Sequence, residues 1–276
     1  MRPPELHRPQ PSSPPRRALI LFTSHPVKEA QRKQLGGGNV EKTQQIYRAF
    51  LGHLLKTITA AQRQTGFDII VASDEADQGN IEKVFRHFPG APGYTFLPHA
   101  GSRFGEKFEY ALDDAFHRGY QQVAIIGNDC LDLTPQLLND TFCQLVQNDV
   151  VLGPAADGGF YLLGLNAFTP ALFREMSWCG ATVFSQISAN IARLKLSLNL
   201  LPCLADIDDD RDLKTWLAAP SPDAESLAKH ILIVLLALHS FHLYYQPPFL
   251  PKTHLSKRLW QKPPPEILPT SPLCEI

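Results

Sequence analysis

The chain contains no CxxC pair. Its five cysteines, Cys130, Cys143, Cys179, Cys203 and Cys274, are scattered. That excludes a zinc site of the usual spacing and a disulfide framework, and it points to a reducing compartment, the cytoplasm. No charge dominates either, since 26 Lys and Arg stand against 27 Asp and Glu. A nucleic-acid partner calls for a basic excess, so none is expected. The opening stretch, MRPPELHRPQPSSPPRR, has no apolar core of the signal-peptide kind. The apolar segment ILIVLLALHSFHLYY spans fifteen residues, 231–245, short for a membrane span, and His239, Ser240 and His242 interrupt it. Three loop signatures are also missing. There is no GxGxxG and no GxSxG, and the last glycine of LGGGN is not followed directly by the lysine and hydroxyl of a P-loop.

What is present alternates. Short apolar runs (ALILF, FDIIVAS, YTFLP, QVAIIG) are separated by amphipathic stretches. From Asn39 onward, Ile46, Ala49, Phe50, Leu54, Ile58 and Ala61 fall on one helical face. A second stripe comprises Phe104, Phe108, Ala111, Leu112, Ala115 and Phe116, with Gly119 as its stop. Thr134 followed by Pro135 reads as an N-cap and first helical residue. DVVLGP and FYLLGL flank the turn AADGG, and two further helices and the strand LNLLPCL precede DIDDDRD. This pattern predicts an α/β domain with a mixed, mainly parallel sheet flanked by helices. Three segments are expected: a flexible Pro-rich leader over 1–16, the α/β domain over 17–219, and an apolar segment with a disordered Pro-rich tail over 220–276. Residues 231–245 suit a buried helix, or contact with a protein partner or a membrane surface.

In such sheets ligands bind beyond the carboxyl ends of the strands, and the candidate residues cluster there. In GNDCLDLTP, Asp129 and Asp132 sit between the fourth strand and a helix start. Two readings stand: the pair binds Mg²⁺ or Mn²⁺ holding a diphosphate, or it braces the turn and the helix dipole. Asp157 precedes Gly158 and Gly159, which permit positive φ and close approach to a ligand; the same Asp-Gly signals a hairpin. In DIDDDRD, Asp209 or Asp210 caps the next helix, leaving Asp206 and Asp208 to face a site. GSRFGEK, with Gly105 and Lys107, offers backbone N–H groups and positive charge to an anion. His53 is expected to pack, and Trp178 to anchor a loop or the core.

Taken in order, FGEKFEYA, IIGNDCLDLT, VVLGPAADGGFYLLGL, LFREMSW and DIDDDRDL resemble the domain-of-unknown-function 2064 family, over about residues 17–218. That family is a bacterial group related to the nucleotide-diphospho-sugar transferases. The resemblance implies a Rossmann-like glycosyltransferase-A fold. It implies that Asp129 is a metal ligand, with Asp132 as the second acid of its block. Asp157 then falls in the sugar or acceptor region, where it is the candidate base, and Asp206 and Asp208 match the later acidic block. The Lys-Thr-Arg-Leu block of many members is absent; Arg32 and Lys33 fall near it and are the candidates to meet donor phosphates. Leu131 stands where a proline is usual.

The expected function is a metal-dependent glycosyltransferase with a nucleotide-diphospho-sugar donor and an unidentified acceptor. Its ion would be Mg²⁺ or Mn²⁺, held by Asp129, Asp132 and Asp208. One alternative is a nucleotidyltransferase akin to the molybdenum-cofactor guanylyltransferases, against which the TSHPVKEA segment counts. Another is a non-catalytic protein retaining the fold.

Overall fold

The computed structural model describes residues 14–33, 35–88 and 93–244, with backbone alone over 237–244. The leader up to residue 13 and the tail from 245, both expected to be disordered, lie outside the described residues. Seven strands form one sheet in the order β3-β2-β1-β4-β6-β5-β7. They are β1 (Arg17–Phe22), β2 (Asp68–Ser73), β3 (Thr95–Pro98), β4 (Gln122–Ile126), β5 (Val150–Pro154), β6 (Phe160–Leu165) and β7 (Leu198–Leu200). Strand β6 runs antiparallel to β4 and β5, and every other pairing is parallel. The mixed, mainly parallel sheet is therefore as the sequence pattern predicts.

Apolar residues line both faces of the central strands, because each face is covered. Leu19 and Leu21 of β1, with Ile69, Val71, Ala124 and Ile126, pack beneath helices α2 (Val40–Thr65) and α5 (Pro135–Gln144). Ala18 and Ile20, with Ile70, Ala72, Val123 and Ile125, pack against α4 (Phe104–His117) and α6 (Val183–Arg193). Helix α2 starts at an N-cap where Asn39 Oδ1 accepts from the Lys42 N–H at 2.9 Å. Helix α5 starts where Thr134 Oγ1 accepts from the Leu137 N–H at 3.2 Å.

Helix α3 (Gln78–Arg86) lies where the apolar pattern places it, but α1 (Pro26–Lys33) is not anticipated. It buries Glu29 and Lys33 along with Ala30, so its inner face shows no apolar stripe to read. Between β6 and β7 only α6 is an α-helix; the other expected helix is the 3₁₀ turn Pro170–Phe173. Residues 231–244 of the apolar segment near the C-terminus lie in α8 (Glu225–Tyr244). Its Leu227, Ala228, Ile231 and Val234 are buried with Leu35, Ile46, Tyr47 and Phe50. Leu232, Ile233 and Leu236 are exposed on the other side. Among the described residues no helix is long and apolar enough to cross a membrane.

Helix α7 (Asp210–Ala218) opens on a reciprocal cap. Asp209 Oδ1 accepts from Arg211 and Asp212 N–H at 2.7 and 2.9 Å, and Asp212 Oδ2 accepts from Asp209 N–H at 3.2 Å. Asp209→Ala should cost about 1 kcal/mol of stability. Urea denaturation midpoints check this, and a shift worth under about 0.3 kcal/mol would remove the cap from the account.

Candidate functional site

The carboxyl ends of β1, β2 and β4 converge on one edge of the sheet. There Asn128 Nδ2 donates to Thr23 Oγ1 at 2.9 Å, and the Thr23 N–H donates to the Ala72 carbonyl at 3.0 Å. These bonds tie the three strand ends together and fix where Asp129 emerges.

The segment after β7 is laid beside the same edge by backbone pairing. Leu204 N–H donates to Pro154 O at 3.1 Å, and Ala156 N–H donates to Leu204 O at 2.9 Å. Further on, Ile207 N–H donates to the Asp129 carbonyl at 3.2 Å. The Ile207 side chain is fully buried beside Leu131 and Leu213. An apolar anchor between two acids in extended chain turns Asp206 and Asp208 away from the core.

Asp157 arrives from the β5–β6 hairpin, where its Oδ1 accepts the Gly159 N–H at 2.7 Å. Gly158 has φ +94°, and a Cβ there would lie 2.1 Å from the Ala181 carbonyl oxygen. The turn is therefore clamped between β5 and the 177–183 loop, and Gly158 O accepts from the N–H of Phe184, in the first turn of α6, at 2.8 Å.

The result is a group of three carboxylates. Asp157, Asp206 and Asp208 each present an oxygen, all within 4.8 Å of one another. Burial, then the neighbouring Asp157, push the Asp206 carboxyl up to about 6. An all-oxygen donor set of this kind suits a hard divalent cation such as Mg²⁺ or Mn²⁺.

Asp129 is placed differently. Its Oδ1 lies 2.7 Å from Lys33 Nζ, which also lies 3.0 Å from Asp208 Oδ1. Lys33 Nζ further donates to the Ile207 carbonyl at 2.6 Å, and its side chain is only 1% exposed. Burial opposes the Lys33 charge, but Asp129 and Asp208 outweigh it and hold the ammonium protonated. Asp208 is drawn below the usual carboxylate range by Lys33 despite burial. Arg32 is paired to Glu29 at 2.7 Å, stands 3.9 Å from Asp129 and keeps a half-exposed guanidinium. The next residues form an anion cradle that the chain fills itself. Gly36 and Gly37 have φ +71° and +75°, and their N–H groups donate to the Asp210 carboxylate at 2.5 and 2.7 Å.

The remaining expected site residues lie elsewhere. Asp132 Oδ1 accepts from the Ser221 N–H at 3.3 Å, near the start of α8. Lys107 pairs with Asp74 at 3.0 Å, together with Lys28 and His99. Gly105 lies under the Trp178 indole, where a Cβ would come within 2.2 Å of Nε1. Trp178 itself packs among Phe104, Phe108 and Phe173. The Ser102 and Arg103 N–H groups before α4 are taken by Glu106 Oε2, at 2.8 and 3.3 Å. His53 Nε2 donates to the Leu131 carbonyl at 3.0 Å. The sequence alone singles out Asp74 in no way, because its partners come from α1, α4 and the end of β3.

Residues 57–180 match the model of a family described as an uncharacterized protein conserved in bacteria, DUF2064. The resemblance read from the motifs is thus confirmed over that segment. No curated protein matches the sequence. Among solved structures, a candidate nucleotide-diphospho-sugar transferase from Desulfovibrio desulfuricans G20 aligns at 25% identity and TM-score 0.67, over 79% of this chain and 96% of that one. Its fold is the fold of this protein. Rv0371c from Mycobacterium tuberculosis, solved with manganese, aligns at 14% identity and TM-score 0.43, over 75% and 100% of the two chains. A mannosyltransferase from Pyrobaculum calidifontis, solved with GDP-Man and Mn²⁺, aligns at 12% identity and TM-score 0.43, over 87% and 79%.

Proposed function

We propose that the protein is a metal-dependent transferase that takes a nucleotide-diphospho-sugar donor and passes its glycosyl group to an acceptor hydroxyl. One observation carries the reading: three carboxylates from two separate segments meet at the ligand-binding edge of a fold shared with a candidate nucleotide-sugar transferase. Asp157, Asp206 and Asp208 would hold Mg²⁺ or Mn²⁺. Such an ion, when bound, neutralises charge on a leaving diphosphate. We place Asp157 with the ion rather than as the proton acceptor, because its oxygen lies within 4.8 Å of the other two. Arg32, half-exposed beside Asp129, is oriented by Glu29 to face an incoming diphosphate. The hairpin and the Ile207 anchor hold the carboxylates in position before any ligand arrives.

A nucleotidyltransferase would need an open basic glycine loop around a triphosphate. Here Asp208 and Asp210 engage Lys33 and the glycine N–H groups, which favours the glycosyl reading.

The test is thermal melting with a panel of nucleotide sugars, each with and without Mn²⁺. Asp157→Asn is the comparison variant, since an asparagine keeps the acceptor for Gly159 and removes the charge. A donor at a hundred times its dissociation constant adds about 2.7 kcal/mol of stability, a rise of roughly 5 °C or more for a domain of this size. The rise should require Mn²⁺ and vanish in Asp157→Asn. Turnover should release a nucleoside diphosphate; pyrophosphate would establish nucleotidyl transfer instead. A folded protein that responds to no donor would be the non-catalytic form.

A further inference from the structure

Lys33 sits where an ordinary acidic metal site would place a cation. Its ammonium bridges Asp129 and Asp208 at 2.7 and 3.0 Å, and the Ile207 carbonyl completes its surroundings at 2.6 Å. A lysine stem with 1% exposure is costly to bury unless its charge is matched. One of its two carboxylates, Asp208, also belongs to the trio that can hold an ion. A divalent ion on Asp208 and an ammonium 3.0 Å from the same half-exposed carboxylate repel each other.

We propose that Lys33 is a built-in cation that competes with the divalent ion for Asp208, and that ion binding releases it from that carboxylate. The proposal rests on the metal reading above and goes beyond it by naming what the ion must displace. In the ion-free state Lys33 balances the charge of the pair and keeps Asp208 close to Asp129. Ion entry costs the lysine Asp208 and leaves it Asp129 and the Ile207 carbonyl, so the ammonium at the end of α1 is held by fewer partners.

Two measurements on the full chain test the idea. The first is calorimetric titration with MnCl₂ of the wild type and of Lys33→Met, which keeps the length of the stem and removes the charge. Lys33→Met should bind Mn²⁺ about tenfold more tightly or better, because a like charge beside the site is gone. Equal or weaker binding overturns the proposal. The second uses wild type alone and guards against a variant that fails to fold. Acetylation of Lys33 by acetic anhydride, quantified by mass spectrometry of its peptide, should rise severalfold when Mn²⁺ is added. Unchanged labelling at saturating Mn²⁺ overturns the exchange even if the affinities differ. If neither protein binds Mn²⁺, the metal reading fails and this proposal falls with it; if both bind equally, only the role of Lys33 falls.

Discussion

Gly158→Ala should lower stability by about 3–5 kcal/mol, combining a strained positive φ with a backbone collision that no rotamer relieves. The φ there is +94°, and the added carbon would lie 2.1 Å from the Ala181 carbonyl oxygen and 2.8 Å from its carbon. For a domain of this size the melting temperature should fall by roughly 10 °C or more. The adjacent Gly159→Ala is the internal control. Its φ is not left-handed, and its Cβ would meet only the Asp157 carboxylate, at 3.1 Å. That variant should melt within a few degrees of wild type. Because Gly158 also clamps the turn that carries Asp157, any Gly158→Ala protein that survives should lose most of its Mn²⁺ response. Equal melting of the two alanine variants would show that the hairpin and the 177–183 loop move apart freely.

The contribution of Asp206 to the stability of the ion-free protein should fall as pH rises from about 4 to about 6. Its carboxyl is raised from the ordinary 3.8 to about 6, first by burial and then by Asp157. A carboxyl raised in the folded state binds its proton more tightly folded than unfolded. Its stabilising contribution is therefore complete below the unfolded value and is lost as pH climbs through the folded one. In EDTA, the melting temperature of Asp206→Asn should lack this component, so the wild type minus variant difference should decline across that interval. Saturating Mn²⁺ should reverse the trend, because the cation favours the ionised form. A wild type minus variant difference that stays flat in EDTA from pH 4 to 7 would mean that the three carboxylates do not crowd one another in solution.

Much of this architecture is legible in the chain itself. Period-two and period-3.6 apolar patterns are local, and so are caps such as Asn39, Thr134–Pro135 and Asp209 and the Asp-Gly-Gly hairpin. They locate β1 to β6, α2 to α5 and the start of α7 because each depends on neighbours within a few residues. Helix α1 escapes that logic. Its buried residues are Pro26, Glu29, Ala30 and Lys33, and two of these four are charged. They are tolerable inside only because Asp129, Asp208 and the Ile207 carbonyl meet Lys33 from across the fold, while Ser24 and Arg32 meet Glu29.

By itself, the sequence determined the alternation of strands and helices, and hence the edge where a ligand binds. It also supplied the acids of that edge. Only the tertiary structure decided which acids share a site. Asp157 meets Asp206 and Asp208 because the strand order β4-β6-β5-β7 and the pairing of Ala156 with Leu204 bring the hairpin beside the last acidic segment. Asp129, three residues before Asp132 in sequence, is drawn instead to a buried lysine, while Asp132 turns to the Ser221 backbone. Spacing along a chain reports what a helix turn or a strand repeat can bring together. Charge pairing between distant segments is settled by burial, where each group must find a partner or bear the cost of desolvation.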